Sequence, residues 1–155
     1  MRRIAPSEIM AFTIDPPLRG INLGNALEAP AEGAWGVTLQ EEFFSLIKEA
    51  GFTAVRIPIR WPAHALPKAH YTFSPTFFDR VDWAVEHALD QGLITIINIH
   101  HYDEFVNDPP AEYERFLALW RQIAEHYQEY DADLWFEILN EPHGRLDGAL
   151  WNRYA

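Results

Sequence analysis

Four short apolar runs punctuate the chain, at Ile21–Leu23, Thr53–Pro58, Leu93–Ile99 and Leu134–Leu139. In the third, Ile94, Ile96, Ile97 and Ile99 leave neither face polar, the pattern of a strand in a covered parallel sheet. Between the runs the period changes to that of helices. Thr38-Leu39-Gln40-Glu41 has the spacing of a capping box, followed by an apolar face of Phe43, Phe44, Ile47 and Ala50 and a stop at Gly51. Ser74-Pro75 starts a second helix, with Phe77, Val81, Ala84, Val85 and Ala88 facing inward and Gly92 at its end. A third follows Pro109-Pro110 and carries Tyr113, Phe116, Leu117, Trp120, Ile123, Ala124 and Tyr127.

The order β-α-β-α-β-α-β, with strands recurring roughly every 35–40 residues, predicts an α/β protein with a parallel sheet. Pro62–Ser74 reads as a long loop beyond the second strand, on the side where such sheets bind ligands. After the fourth strand Asp147 is placed to cap a further helix beginning at Leu150 and Trp151, of only about two turns. An open four-stranded sheet would need its edges covered. The pattern reads as half of a larger unit.

Composition narrows the chemistry. The chain has 155 residues, 48% hydrophobic, enough for a packed core, and no cysteine, which excludes disulfides, thiolate nucleophiles and thiolate metal sites. A formal net charge of −11 opposes contact with phosphate backbones and anionic lipid, so neither nucleic acid nor a membrane surface is expected as a partner. No apolar run has the length of a membrane span. Pro6, Ser7, Glu8 and Asp15 interrupt any signal-peptide core after Met1-Arg2-Arg3.

Residues that break the apolar pattern gather at strand ends: Gly24-Asn25 with Glu28, Arg56 with Arg60 and Trp61, His100-His101-Tyr102-Asp103-Glu104, and Asn140-Glu141-Pro142-His143. Polar groups delivered from successive strand ends converge on one mouth, as active sites in this architecture do. Pro142 bars helix continuation and is expected to hold Glu141 extended, presenting a carboxylate suited to general acid work. An isolated triplet of this kind would more simply be a loop or cap carboxylate; its place at the end of an apolar strand favours chemistry.

Four segments, 19–25 (RGINLGN), 55–61 (VRIPIRW), 97–102 (INIHHY) and 136–142 (FEILNEP), resemble glycoside hydrolase family 5 in the expected order, specifically its thermophilic bacterial endoglucanases. The resemblance covers about residues 18–155 and leaves 1–17 as an N-terminal extension. It implies the N-terminal (β/α)4 half of a TIM (β/α)8 barrel, with four parallel strands in the order 1-2-3-4. It further implies a retaining endoglucanase on β-1,4-glucans, with Glu141 as acid/base and Asn140 on the sugar 2-OH. Arg56 would support the nucleophile and His100 would contact the sugar, while Asn25, Glu28 and His101 match positions lining the cleft. The family's nucleophile is a glutamate at the end of the seventh strand, beyond this chain's four strands. Glu137 lies roughly 13 Å deeper along its strand than Glu141, and Glu28, Asp103 and Glu104 are loop carboxylates, so no nucleophile is assigned here. The expected partners are a β-glucan and either a complementary half-barrel or a second copy; the alternative is an inert self-associating half-barrel.

Adjacent residues at a strand end point to opposite sides and His-Glu-x-x-His spacing is missing, so no metal is expected at His100-His101. The chain has no phosphate-cradling glycine loop, so nucleotide chemistry is not expected, and no cofactor is expected. His64, His70, His87 and His126 read as surface or packing histidines, and Trp83, Trp120 and Trp135 as core. Trp35 and Trp61 follow strands, where an aromatic ring either stacks on a pyranose or fills the core, and both are carried as candidate substrate contacts.

Overall fold

A computed structural model describes residues 18–155; the expected extension at 1–17 lies outside them. Four strands, β1 (Gly20–Asn22), β2 (Ala54–Ile59), β3 (Ile94–Ile99) and β4 (Leu134–Glu137), form one parallel sheet in chain order. They alternate with helices α1 (Glu41–Glu49), α2 (Pro75–Asp90), α3 (Asp103–Asn107), α4 (Pro109–His126) and α5 (Gly148–Tyr154). The sheet therefore has the four consecutive βα units expected, half the number in a (β/α)8 barrel.

Strand alternation sorts side chains onto two faces. Val55, Ile57 and Ile59 of β2 and Ile97 and Ile99 of β3 face the helices and have no exposed surface. Each contributes about 1.5–3 kcal/mol relative to exposure. They meet Phe44 and Ile47 of α1, Val81, Ala84, Val85 and Ala88 of α2, and Phe116, Leu119 and Ile123 of α4 in one core. The register pairs Asn22 with Arg56 and Asn98 with Glu137, so these four polar residues share the other face. Among the described residues β1 and β4 each pair with a single strand, and Ile21 and Phe136 on those edges are about two-fifths exposed.

Helix ends follow local chemistry at some points and tertiary contacts at others. Gly51 (φ 83°) and Gly92 (φ 63°) adopt the left-handed conformation that terminates α1 and α2. Asp147 caps α5, its carboxylate accepting from the Ala149 and Leu150 N–H groups at 3.0 and 2.9 Å. The expected capping box does not form. The first helix starts at Glu41, so Glu41 cannot reach back from the third helical position, and Gln40 occupies the cap without a side-chain bond. Glu32 instead fixes the backbone just ahead of the cap. It takes the Leu39 N–H at 2.8 Å and is held by both arms of Arg80, whose guanidinium also donates to the Leu39 carbonyl.

The loop after β2 is more ordered than expected. A 3₁₀ turn at Trp61–His64 is followed by an antiparallel bridge between Ala65 and Phe73, which folds the loop back over Trp61. Trp61 is fully buried among Phe73, Phe77 and Phe78, with ring centroids 5.0–5.5 Å away. No face of its indole is open to a sugar. The substrate-contact expectation for Trp61 is thereby corrected: it is a core residue, buried by a segment that returns from a dozen residues further along.

Candidate active site

Backbone hydrogen bonds carry the sheet ladder past the strand ends. Leu23 N–H donates to the Arg56 carbonyl, His100 N–H to Ile59 and Asn140 N–H to Ile99, at 2.8–2.9 Å. Positions 100 and 140 are therefore placed by the sheet, although neither lies within a strand. Glu141, the next residue, is not extended as its following proline suggested. It has φ 46°, in the left-handed region, and its carbonyl accepts the His143 ring Nδ1–H at 2.6 Å. That turn stands the Glu141 side chain out, exposed, at the rim of a groove of about 240 Å³. His100, His101, Asn140 and His143 line the same groove. His143, expected only as one of the polar residues at this strand end, closes with its ring the turn carrying the carboxylate.

Below this rim lies a polar network. Arg56 grips Glu137 with two hydrogen bonds of 2.6 Å, from Nε to Oε2 and from Nη2 to Oε1. The same Nη2 donates to Asn140 Oδ1 at 2.8 Å, and Nη1 to Asn22 Oδ1 at 3.2 Å. Asn98 Nδ2 donates to Glu137 Oε1 at 3.1 Å and approaches His100 Nδ1 at 3.3 Å. Glu137 was expected deeper along its strand than Glu141, within the layers of a barrel. What its depth did not reveal is that it anchors Arg56, Asn98 and, through Arg56, Asn140. One signal for this was present, since polar residues interrupt all four strands on one face.

Electrostatics follow from this packing. Burial alone would raise the Glu137 carboxyl, but hydrogen bonds from Arg56 and Asn98, with the Arg56 charge, hold it below the usual carboxylate range. Burial, reinforced by His101 and Arg56, pushes His100 below the ordinary histidine range against the opposing pull of Glu28 and Glu137. The ring is neutral at pH 7.

Nearer β1, Asn25 has a left-handed backbone (φ 63°), and Glu28 is buried behind it. The Glu28 carboxylate accepts the Asn25 and Ala26 N–H groups at 2.5 and 3.0 Å, so it shapes this loop from within. Trp35 is nearly half exposed and meets His101 edge-on, with centroids 5.8 Å apart. Of the candidate residues, Arg56, His100, Asn140 and Glu141 form one connected cluster, with Asn25, Glu28, His101 and Trp35 on adjoining loops. Trp61 lies outside it. Among the described residues no group of three His, Asp or Glu stands close enough to hold a metal ion, and no helix is long and apolar enough to cross a membrane.

Consecutive parallel βα units, with a carboxylate, an amide and a neutral histidine gathered at the strands' C-terminal ends, place the chain among (β/α)-barrel proteins. Within that class the sequence model for cellulase (glycosyl hydrolase family 5) matches residues 14–155, and the chain belongs to this family. Endoglucanase H of Acetivibrio thermocellus is 45% identical over 127 residues, covering 82% of this chain and 14% of that protein. Endoglucanase 1 of Ruminococcus albus is 38% identical over 143 residues, covering 85% and 35%. The crystal structure of endoglucanase Cel5A from Thermotoga maritima superposes with a TM-score of 0.87 at 58% identity, covering 88% of this chain and 44% of that one. Structures of the T. maritima protein have been described with cellobiose and with mannotriose. The chain spans less than half the length of each of these relatives.

Proposed function

We propose that the chain is the acid/base half of a retaining endo-β-1,4-glucanase and forms a working cleft with a complementary half that supplies the nucleophile. The observation that carries this reading is the placement of Asn140 and Glu141. Asn140 is tied to the sheet through its backbone and to Arg56 through its side chain, and Glu141 stands exposed immediately beyond it. In this mechanism Glu141 protonates the glycosidic oxygen as the nucleophile attacks the anomeric carbon. It then takes a proton from the water that releases the glycosyl–enzyme, the two carboxyls standing about 5–5.5 Å apart. Asn140 and neutral His100 bind sugar hydroxyls, and Arg56 adds positive charge at the base of the site. The cellobiose and mannotriose bound by the T. maritima relative favour a β-1,4-linked hexose chain as substrate.

The open edges of β1 and β4 support the need for a second half, since an unpaired strand presents a row of backbone donors and acceptors. Residues 18–155 are then the N-terminal half of the barrel. The test is turnover of soluble β-glucan by the chain alone, by the chain mixed with the C-terminal half of the T. maritima relative, and by Glu141→Gln in that mixture. Activity is expected only in the second case. Hydrolysis by the chain alone would overturn the division of labour, and undiminished activity in Glu141→Gln would overturn the acid/base role.

A further inference from the structure

Glu137 is ionised, so its oxygens only accept, and Arg56 only donates. Between them they leave little choice to the amides they touch. Asn140 must turn Oδ1 toward Arg56 Nη2, which leaves its Nδ2 hydrogens for the cleft. Asn98 must turn Nδ2 toward Glu137 Oε1, and the remaining Nδ2 hydrogen then meets His100 Nδ1. That nitrogen accepts, so the neutral ring carries its proton on Nε2. One buried atom records what this orientation costs. Asn98 Oδ1 is buried with no hydrogen-bond partner, an unfavourable state for a polar atom. Flipping the amide would bring that oxygen against the Glu137 carboxylate, a worse contact.

We infer that Glu137 is a positioning residue: through Arg56 and Asn98 it dictates which atoms of Asn140 and His100 face the cleft, making both hydrogen-bond donors. The inference rests on the glucanase reading for what those donors meet, namely the hydroxyl oxygens of a sugar. Glu137 itself touches no substrate. It sets the polarity of the groups that do, from a layer below them.

The ring proton of His100 reports this without any sugar or turnover. In the chain labelled with ¹⁵N-histidine, long-range ¹H–¹⁵N correlation at pH 7 is expected to show His100 protonated on Nε2 and bare at Nδ1, with the signal assigned by its loss in His100→Gln. A ring protonated on Nδ1 would overturn the inference. Glu137→Met removes the acceptor that orients Asn98, and a mixture of both tautomers is expected; a single unchanged Nε2–H tautomer would overturn it. Should Glu137→Met fail to fold, Asn98→Ala removes the donor facing His100 Nδ1 while leaving the Arg56–Glu137 pair intact, and the same mixture is expected. A single tautomer retained there would sink the relay. The expected tautomers without glucan hydrolysis would leave the positioning role standing and defeat the glucanase reading; the reverse outcome would do the opposite.

Discussion

The helix-side face of the sheet carries Val55, Ile57, Ile59, Ile97 and Ile99, all fully buried, whereas the opposite face carries Arg56, Asn98 and Glu137 joined by directed hydrogen bonds. The first face is stabilised by area removed from water, which depends on volume and hardly on direction. The second depends on which atom donates and which accepts, and a single reversed amide disturbs the whole set. The two faces should therefore fail differently. Damage to the first lowers stability in proportion to what is removed, while damage to the second shows up in partner residues several ångströms away.

The largest expected loss is on the apolar side. Trp61→Ala should destabilise the chain by about 3–5 kcal/mol in urea unfolding, because an aromatic box closes around that ring. A loss under about 1 kcal/mol would reopen the substrate-contact role for Trp61. On the polar side, Arg56→Met should cost about 2 kcal/mol, less than a deeply buried pair because both side chains are partly exposed. The sharper measurement is the cycle with Glu137→Met. The double variant should be more stable than the two single losses predict, by about 1–2 kcal/mol, since neither charge is left alone. Strict additivity would mean that the two groups do not depend on each other.

Acid should separate the faces most gently. Glu32 and Glu137 are both lowered, so each contributes stability that is present above its unfolded pKa and lost as pH falls through the folded one. His64 and His100 are also lowered, mainly by burial, so their contribution is complete above about pH 6.5 and declines as the unfolded chain takes up protons. Stability should therefore fall in a shallow histidine step and then a carboxylate step on acidification. The Arg56→Met, Glu137→Met double variant should shrink the second step, and an undiminished step would show that Glu137 contributes nothing to it.

The same division explains what the sequence made legible. Apolar runs and helix stops are local signals, so four strands, the ends at Gly51 and Gly92 and the Asp147 cap could be read directly. Departures arise where a distant segment decides. Glu32 and Arg80, 48 residues apart, organise the start of α1 in place of the local box. The returning loop at Phe73 buries Trp61. His143 closes the left-handed turn at Glu141, where the Glu-Pro pair suggested an extended residue. Candidate residues at strand ends could be picked out because strand ends converge in this architecture. Their hydrogen-bond polarity could not, because it depends on which strands lie side by side and in what register.

Azide rescue tests most directly whether Glu141 serves as acid and then base. In the assembled barrel, Glu141→Ala should still form the glycosyl–enzyme from an aryl β-cellobioside whose leaving group needs no proton. Added azide should then restore turnover and give a β-glycosyl azide, the configuration retained. An α-glycosyl azide would identify Glu141 as the nucleophile, and turnover indifferent to both the substitution and azide would remove it from the chemistry altogether.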